Sequence, residues 1–175
     1  TPPTVTSAPS PSTPTSPPAS PNLGTVADGE MAFDQGEYDR ARTILRPLAD
    51  AGDSVAQFYL GKMYAEGRGV EKDEVQGVNW YRKSAEQGYA KAENNLAVMY
   101  LYGTGVATDE SEAARWFRKA ADQGIPQAQT GLGGLYYAGQ GVVKDLSKSI
   151  GWYRKAADQG YADAQFNLGE MYDKG

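Results

Sequence analysis

Residues 80–88 read WYRKSAEQG, residues 116–124 read WFRKAADQG, and residues 152–160 read WYRKAADQG. The tryptophans that open these three stretches are 36 residues apart in both intervals. The same spacing relates leucines and tyrosines elsewhere in the chain: Leu60, Leu96, Leu132 and Leu168, and Tyr64, Tyr100, Tyr136 and Tyr172. A fixed period of about 20 to 50 residues is typical of stacked repeats, so we predict a repeat array.

The composition excludes several kinds of chemistry. The 175 residues contain no cysteine and no histidine, which removes disulfides, thiolate nucleophiles, imidazole bases and the common zinc sites. Seventeen Lys and Arg against 22 Asp and Glu give a formal charge of −5, which repels a phosphate backbone. We therefore expect no nucleic acid partner, and no metal or cofactor.

The N-terminal residues differ in composition from the rest. Residues 1–21 contain only Pro, Ser, Thr, Ala and Val and carry no charged side chain. Such a segment cannot bury a core, so residues 1–22 are predicted to be a disordered Pro/Ser/Thr-rich linker. The chain has no initiator Met, so we expect it to be a piece of a longer protein. An uncharged tether favours a periplasmic, cell-envelope or secreted location over a cytoplasmic one.

Each repeat is predicted to hold two helices, A and B, joined by a glycine-rich loop. Ala56, Leu60, Met63 and Tyr64 recur at the spacing of one helical face, which predicts a first helix A over residues 54–66. A nucleotide-binding GxG loop is the alternative, but these glycines follow a helix and the third glycine of that motif is missing. The loop glycines instead supply left-handed backbone that ends a helix: Gly67 and Gly69, Gly103 and Gly105, and Gly139 and Gly141.

Helix B is predicted to begin after an N-cap aspartate, namely Asp73, Asp109 and Asp145. Gln76 and Glu112, three residues later, are expected to complete a capping box. Trp80, Trp116 and Trp152 and the aromatic residue after each of them face the core, whereas the Arg-Lys pairs face solvent. We expect each of these arginines to pair with an acid four residues on, giving Arg82–Glu86, Arg118–Asp122 and Arg154–Asp158. An anion-binding ladder of these cations is the alternative.

These residues resemble the Sel1-like repeat (SLR) family of the tetratricopeptide (TPR) superfamily. The resemblance implies an all-α fold, a right-handed α/α superhelix (solenoid) of stacked helix-turn-helix repeats. It also implies an adaptor or scaffold in protein complexes, frequently in bacterial envelope, signalling or host-interaction settings. Some members carry a cysteine pair in each repeat, and this chain has none. The matching residues are Ala56, Leu60, Gly61, Tyr64, Gly67, Gly69, Val70, Asp73, Trp80, Tyr81, Ala85 and Gly88, recurring in the next two repeats.

The repeat register predicts the organisation of the chain after the linker. A shorter, TPR-like N-terminal helix pair occupies residues 23–52. Sel1-like repeats follow at residues 53–88, 89–124 and 125–160, and residues 161–175 form helix A of a partial fourth repeat. Leu168, Met171 and Tyr172 of that last helix have no helix B to cover them, so this end is a candidate surface for self-association.

The favoured function is a non-enzymatic protein–protein interaction scaffold that binds a peptide or protein segment on its concave face. One alternative is a carboxylate-based hydrolase of glycan or peptidoglycan, which needs two acids roughly 5 to 10 Å apart in a cleft. Another is an accessory spacer domain of a larger envelope protein. Most acids here have a structural role as caps or surface partners, which favours the scaffold.

The candidate binding residues lie on helix A, away from the Leu60–Tyr64 face, at positions where the repeats differ. Aromatic side chains there would supply binding energy, and polar groups would fix the register of the bound segment. The alternative is that Phe58 and Tyr137 pack beside neighbouring A helices. The candidates are Phe58, Lys62, Lys91, Asn94, Val98, Leu101, Tyr102, Thr130, Tyr137 and Phe166.

Overall fold

The computed structural model describes residues 24–173, which form nine α-helices and no strand. The predicted linker, residues 1–22, lies outside this range. The helices are α1 (Val26–Asp34), α2 (Tyr38–Asp50), α3 (Ser54–Glu66), α4 (Glu74–Glu86), α5 (Ala90–Tyr102), α6 (Glu110–Asp122), α7 (Pro126–Ala138), α8 (Leu146–Ala157) and α9 (Ala162–Asp173).

The helices stack in chain order. Each helix packs on the one before it and the one after it, and α1 also contacts α3. One hydrophobic core runs through the stack, and its fully buried side chains recur once per repeat as Leu60, Leu96 and Leu132. Because each repeat contacts only its neighbours, the architecture is an α/α solenoid, as predicted.

Helix ends follow the predicted signals closely. Helix α3 covers the predicted residues 54–66, and Gly67 after it is left-handed with φ 70°. Gly103 and Gly139 end α5 and α7 in the same way, with φ 71° and 77°. The second glycine of the loop has a different role, because a Cβ at Gly105 or Gly141 would overlap the backbone of the preceding helix B. The loop glycines therefore both end a helix and let successive repeats approach.

The N-caps are confirmed, whereas the predicted capping boxes are not formed. The carboxylates of Asp73, Asp109 and Asp145 each accept a hydrogen bond from an amide of the first helical turn. The backbone N–H of each cap donates to a tyrosine carbonyl of the preceding helix A, at 2.9 Å in all three repeats. In a capping box, the side chain at N3 would accept a hydrogen bond from this backbone N–H of the cap residue. Since the N–H is already bonded, the N3 side chains make other hydrogen bonds. Gln76 donates to the Asp73 carboxylate, and Glu112 accepts from Arg115 and Trp116.

The repeated tryptophans are buried, as predicted, and a lysine covers each ring. Trp80, Trp116 and Trp152 are at most 9% exposed. The lysine ammonium groups lie 4.3, 4.6 and 4.0 Å from the three ring centroids: Lys83 on Trp80, Lys119 on Trp116 and Lys155 on Trp152. The lysines on the solvent-facing side of helix B therefore also make cation–π contacts that cover the tryptophan rings of the core.

The prediction for the arginines of this face was wrong. Within residues 24–173, no ion pair joins them to the acids four residues on. Each arginine instead donates to the tyrosine hydroxyl 18 residues later, on helix A of the next repeat: Arg82 to Tyr100 at 3.0 Å, Arg118 to Tyr136, and Arg154 to Tyr172 at 2.6 Å. A guanidinium is long enough to bridge two helices, so these arginines stabilise the contact between repeats.

Candidate partner-binding surface

The predicted binding residues lie on one side of helices α3, α5, α7 and α9, and we call this surface the A-helix stripe. Four of its apolar side chains are exposed: Val98 at 37%, Tyr102 at 73%, Tyr137 at 45% and Phe166 at 68%. Lys91 is exposed, and Asn94, Leu101, Thr130 and Lys62 are half-buried. The stripe is defined as the predicted residues Phe58, Lys62, Lys91, Asn94, Val98, Leu101, Tyr102, Thr130, Tyr137 and Phe166, together with Gly134, which lies among them on α7.

Phe58 is not available as a surface anchor, which corrects the prediction for this residue. Its side chain is 6% exposed, and its ring centroid lies 5.2 to 5.8 Å from those of three tyrosines, Tyr59, Tyr81 and Tyr89. Sequence position alone placed it on the outer side of α3. The tyrosines of α4 and of the start of the next repeat reach over that side and bury it.

Lys62 is also engaged within the protein. Its ammonium lies 4.7 Å from the ring centroid of Phe33 and about 6 Å from those of Phe58 and Tyr59. Cation–π contact with several rings holds the charge in place. On α3, contacts with aromatic rings inside the protein therefore occupy both predicted binding residues, Phe58 and Lys62.

The stripe opens at its C-terminal part into a groove of about 360 Å³. Gly134 takes the register position of Lys62 and Val98, and a Cβ there would lie 3.5 Å from the Tyr153 hydroxyl. The Lys144 ammonium lies 5.7 Å from the centroid of the Tyr137 ring. The lining residues are Tyr137, Leu146, Tyr153, Phe166, Asn167, Glu170 and Met171.

Asn94 has an unusual environment in the middle of the stripe. Its Nδ2 donates to Asn95 Oδ1 at 3.3 Å, whereas its own Oδ1 is buried and accepts no hydrogen bond. Among the buried side-chain polar atoms of residues 24–173, this oxygen alone lacks a partner. A buried acceptor without a donor is costly, and because the Asn94 side chain as a whole is only half-buried, rotation of its amide can bring this oxygen to the surface and to an N–H of a ligand.

Two acids that a hydrolase could use are held in structural roles. The amide of Gln76 lowers the pKa of Asp73, and the amide of Lys148 lowers the pKa of Asp145. A general acid needs a raised pKa, so the cap aspartates are poor candidates for that role. In the described part of the chain no group of three or more acidic side chains is arranged to hold a metal ion. No helix there is long and apolar enough to cross a membrane.

Sequence analysis missed one buried ionisable residue, Glu93. Its side chain is only 2% exposed, and burial raises the pKa of its carboxyl above the ordinary value. Gln123 Nε2 donates to Glu93 Oε2 at 2.8 Å. The sequence does show that this residue departs from the repeat pattern, because the corresponding residues of the other repeats, Gln57, Gln129 and Gln165, are all glutamines.

A linear stack of helix pairs with a variable stripe on its A helices is the architecture of an α-solenoid repeat protein. The sequence model of the Sel1 repeat matches residues 54–89, 90–125, 126–161 and 162–175, so the chain belongs to the Sel1 repeat family. Proteins of this family are generally non-catalytic scaffolds that mediate protein–protein interactions. Comparison with curated proteins gives no match.

Solved structures support the same assignment. The Sel1 repeat protein from Oxalobacter formigenes is 36% identical with a TM-score of 0.80, over 85% of this chain and 61% of that protein. The protein c5321, a protective antigen of uropathogenic Escherichia coli strains with an SLR fold, is 33% identical with a TM-score of 0.76. That match covers 86% of this chain and 37% of c5321. This chain therefore spans less than two thirds of either relative.

A more distant match shows only the fold. Cysteine-rich protein B of Helicobacter pylori is 20% identical, with a TM-score of 0.57, over 84% of this chain and 99% of that protein. This chain has no cysteine, so its repeats are held by packing and hydrogen bonds.

Proposed function

We propose that this chain is a non-enzymatic scaffold that binds an extended segment of a partner protein along the A-helix stripe. The observation that carries the proposal is the set of apolar side chains that stay exposed on adjacent A helices inside the array, Val98, Tyr102 and Tyr137. An extended backbone presents N–H groups at regular intervals, and one of them can satisfy Asn94 Oδ1 once this amide has rotated to the surface. Neighbouring apolar side chains of the partner can then contact Val98 and Tyr102.

The groove at Tyr137 and Phe166 supplies the second half of the site. Aromatic residues give large contact areas at low entropic cost, and they dominate binding energy when a partner side chain excludes water from them. Tyr102 and Tyr137 lie on adjacent A helices, so one extended segment could contact both. The Asn94 amide between these anchors would fix the register of the bound segment.

Carboxylate-based hydrolysis is disfavoured by the same structure. The cap aspartates are committed to helix N-termini, and Glu112 is held by Arg115 at 2.6 Å. The spacer alternative predicts no binding along the stripe at all. Assaying peptidoglycan cleavage and peptide binding on the same preparation distinguishes the three functions.

Two further properties belong to this proposal. We place the protein in the periplasm, cell envelope or extracellular space, because the uncharged N-terminal segment fits an exported tether and c5321 is a protective antigen. We also propose that the α9 face can mediate self-association, since Tyr172 there is 58% exposed. Cell fractionation tests the first property, and light scattering over a concentration series tests the second.

The binding test begins with peptides selected from a random display library against the immobilised full chain. Affinities of the selected peptides are then measured for Tyr137→Ala, Val98→Ala and the matched control Val75→Ala. Val75 is as apolar as Val98 and is 57% exposed, but it lies on helix B, in α4. We expect about a tenfold or greater loss for the stripe variants, the effect of removing about 1.4 kcal/mol of contact, and none for the control.

The opposite pattern would place the partner elsewhere. If the stripe variants bind like wild type while Arg82→Ala or Arg118→Ala abolishes binding, the partner contacts the helix B side and the proposal is wrong. Circular dichroism of every variant shows whether a loss of binding reflects a loss of fold.

A further inference from the structure

Glutamine side chains on the A helices tie each repeat to the one before it. Gln57 Nε2 donates to the Ala49 carbonyl at 3.1 Å, and Gln129 Nε2 donates to the Ala121 carbonyl at 3.2 Å. Gln165 makes the same bond to Ala157 at 3.3 Å. In each case the acceptor lies eight residues earlier, near the end of the preceding helix. We call this series the glutamine ladder.

A second set of bonds extends the ladder to the following helix. Gln87 and Gln159, in the repeated QG dipeptide, donate to Gln57 Oε1 and Gln129 Oε1, both at 2.8 Å. Gln57 and Gln129 therefore each accept from the turn that ends the following helix and donate to the end of the preceding helix. One amide side chain satisfies both bonds because it carries an acceptor oxygen and a donor nitrogen.

Glu93 occupies the remaining position of the ladder, 36 residues from both Gln57 and Gln129. It accepts from Gln123 in the same way, at 2.8 Å. An ionised carboxylate carries no hydrogen, so it cannot make the second bond to the carbonyl eight residues earlier, that of Ala85. A protonated carboxyl has an acceptor oxygen and one O–H donor, so it can make the same two ladder bonds as the glutamine amide.

Some of the groups around Glu93 favour its ionised form, and others favour its protonated form. The side chain is 2% exposed, and this burial penalises the ionised form. On α6, Lys119 and the Gln123 amide favour the ionised form, and so does the N-terminal end of α5, where Glu93 lies in the first turn. On the α4 side, the Ala85 carbonyl has the register position of the carbonyls that accept from Gln57 and Gln129, and an acceptor at that position favours the protonated form. Burial is the largest effect, so the pKa of Glu93 is raised.

We propose that Glu93 is a proton-sensitive joint between the first and second Sel1 repeats. In acid it takes a proton from solvent, donates its O–H to the Ala85 carbonyl and accepts from Gln123, which completes the ladder. On ionisation the proton returns to solvent, the Ala85 bond is lost, and a charged group remains buried between α4, α5 and α6. The array is thereby held more firmly at this joint in acid than at neutral pH.

The sign of the effect follows from proton linkage. A carboxyl whose pKa is higher in the folded state than in the unfolded state adds stability that is complete below the ordinary value of 4.5. That stability is lost as the pH rises through the raised pKa. Asp73 and Asp145 act in the opposite direction, because their lowered pKa values add stability that is lost only on acidification.

The test compares urea unfolding of the full chain between pH 4 and pH 8 for wild type and two reciprocal variants. Glu93→Gln restores the ladder residue, so its midpoint should exceed that of wild type near pH 8 and approach it near pH 4. Gln129→Glu introduces the same device one repeat later and should add a loss of stability at high pH. Each unit by which the pKa is raised corresponds to about a tenfold change in the folding equilibrium constant. Glu86→Gln, at an exposed acid, controls for net charge.

An NMR titration of the Glu93 side-chain carboxyl in wild type supplies a second measurement that needs no variant. A midpoint above 4.5, together with a gap between wild type and Glu93→Gln that widens with pH, supports the joint. A midpoint at or below 4.5, or a gap that is the same at every pH, overturns it. If a variant fails to fold, the wild-type titration decides.

Discussion

Phe58 and Phe166 occupy the same position of the repeat, three repeats apart, yet their environments are opposite. Phe58 is 6% exposed and Phe166 is 68% exposed. Phe58 is covered by Tyr81 from the following helix and by Tyr89 from the start of the next repeat. Within residues 24–173 no helix follows α9, so Phe166 has no such cover. The comparison shows that in a solenoid the burial of a residue depends on the repeat after it.

The comparison divides the exposed residues of the A-helix stripe into two kinds. Phe166 is exposed because its neighbouring helix is missing from the described part of the chain. Tyr102 and Tyr137 are exposed although two or more helices follow them. Exposure that persists inside the array is the stronger indication of a binding surface.

The largest expected effect comes from truncating the two phenylalanines. Phe58→Ala should lower the free energy of unfolding by about 3 to 5 kcal/mol, the usual cost of removing a buried ring. Phe166→Ala should change it by about 0.5 kcal/mol or less, because the ring is exposed. Urea unfolding measures both. Equal losses would mean that another molecule covers α9 in solution, and light scattering would then show a dimer.

Two glycines at another shared position give the next effect. A Cβ at Gly133 would lie 2.9 Å from the ring of Tyr153, whereas nothing lies within 4 Å of a Cβ at Gly169. Gly133→Ala should destabilise the protein by about 1 to 2 kcal/mol, since overpacking costs more than the gain in helix propensity. Thermal unfolding checks this, and an unchanged midpoint would show that the repeats can move apart freely.

The arginine bridges should show a smaller difference between the interior and the end of the stack. Arg118 donates to Tyr136, which is 7% exposed, and Arg154 donates to Tyr172, which is 58% exposed. Arg118→Ala should cost about 1 kcal/mol, because a mostly buried hydroxyl loses its charged partner. Arg154→Ala should cost less than about 0.5 kcal/mol. A larger loss for Arg154 than for Arg118 in urea unfolding would contradict the bridge as the source of stability.

These arginines also show what the sequence could and could not predict. Helix limits such as those of α3 depend on local signals, a capping residue and a terminating glycine, and these were predicted to the residue. Arg118 and Tyr136 meet only because two helices from different repeats lie side by side. Periodicity within one helix carries no information on that distance, so the predicted partner, Asp122, was wrong.

The candidate site was predictable to a similar degree. Helical geometry predicted which residues share the stripe. Only the structure shows that Phe58 and Lys62 contact aromatic rings inside the protein. Glu93 was missed for a different reason. Its deviation from the other repeats is visible in the sequence, but its meaning depends on the glutamine ladder, which is a tertiary feature.

A stabilising substitution is expected at the open end. Gly169→Ala should raise the free energy of unfolding by about 0.5 to 1 kcal/mol, because alanine favours the helix and no neighbouring atom is displaced. The same change at Gly133 destabilises, so the pair reverses sign between the interior and the end. A loss of stability in Gly169→Ala, measured by thermal unfolding, would show that the α9 face is already packed.

The smallest expected effect on stability concerns Asn94, which shares its repeat position with Phe58 and Phe166. Asn94→Leu should change the free energy of unfolding by no more than about 0.5 kcal/mol. The substitution removes one long hydrogen bond to Asn95, and it also removes a buried oxygen that has no partner. Peptide binding should nevertheless be lost, because the leucine cannot accept an N–H from the bound segment. Urea unfolding and peptide titration of the same variant measure the two effects. A clear loss of stability with unchanged binding would assign Asn94 to the fold instead of the binding site.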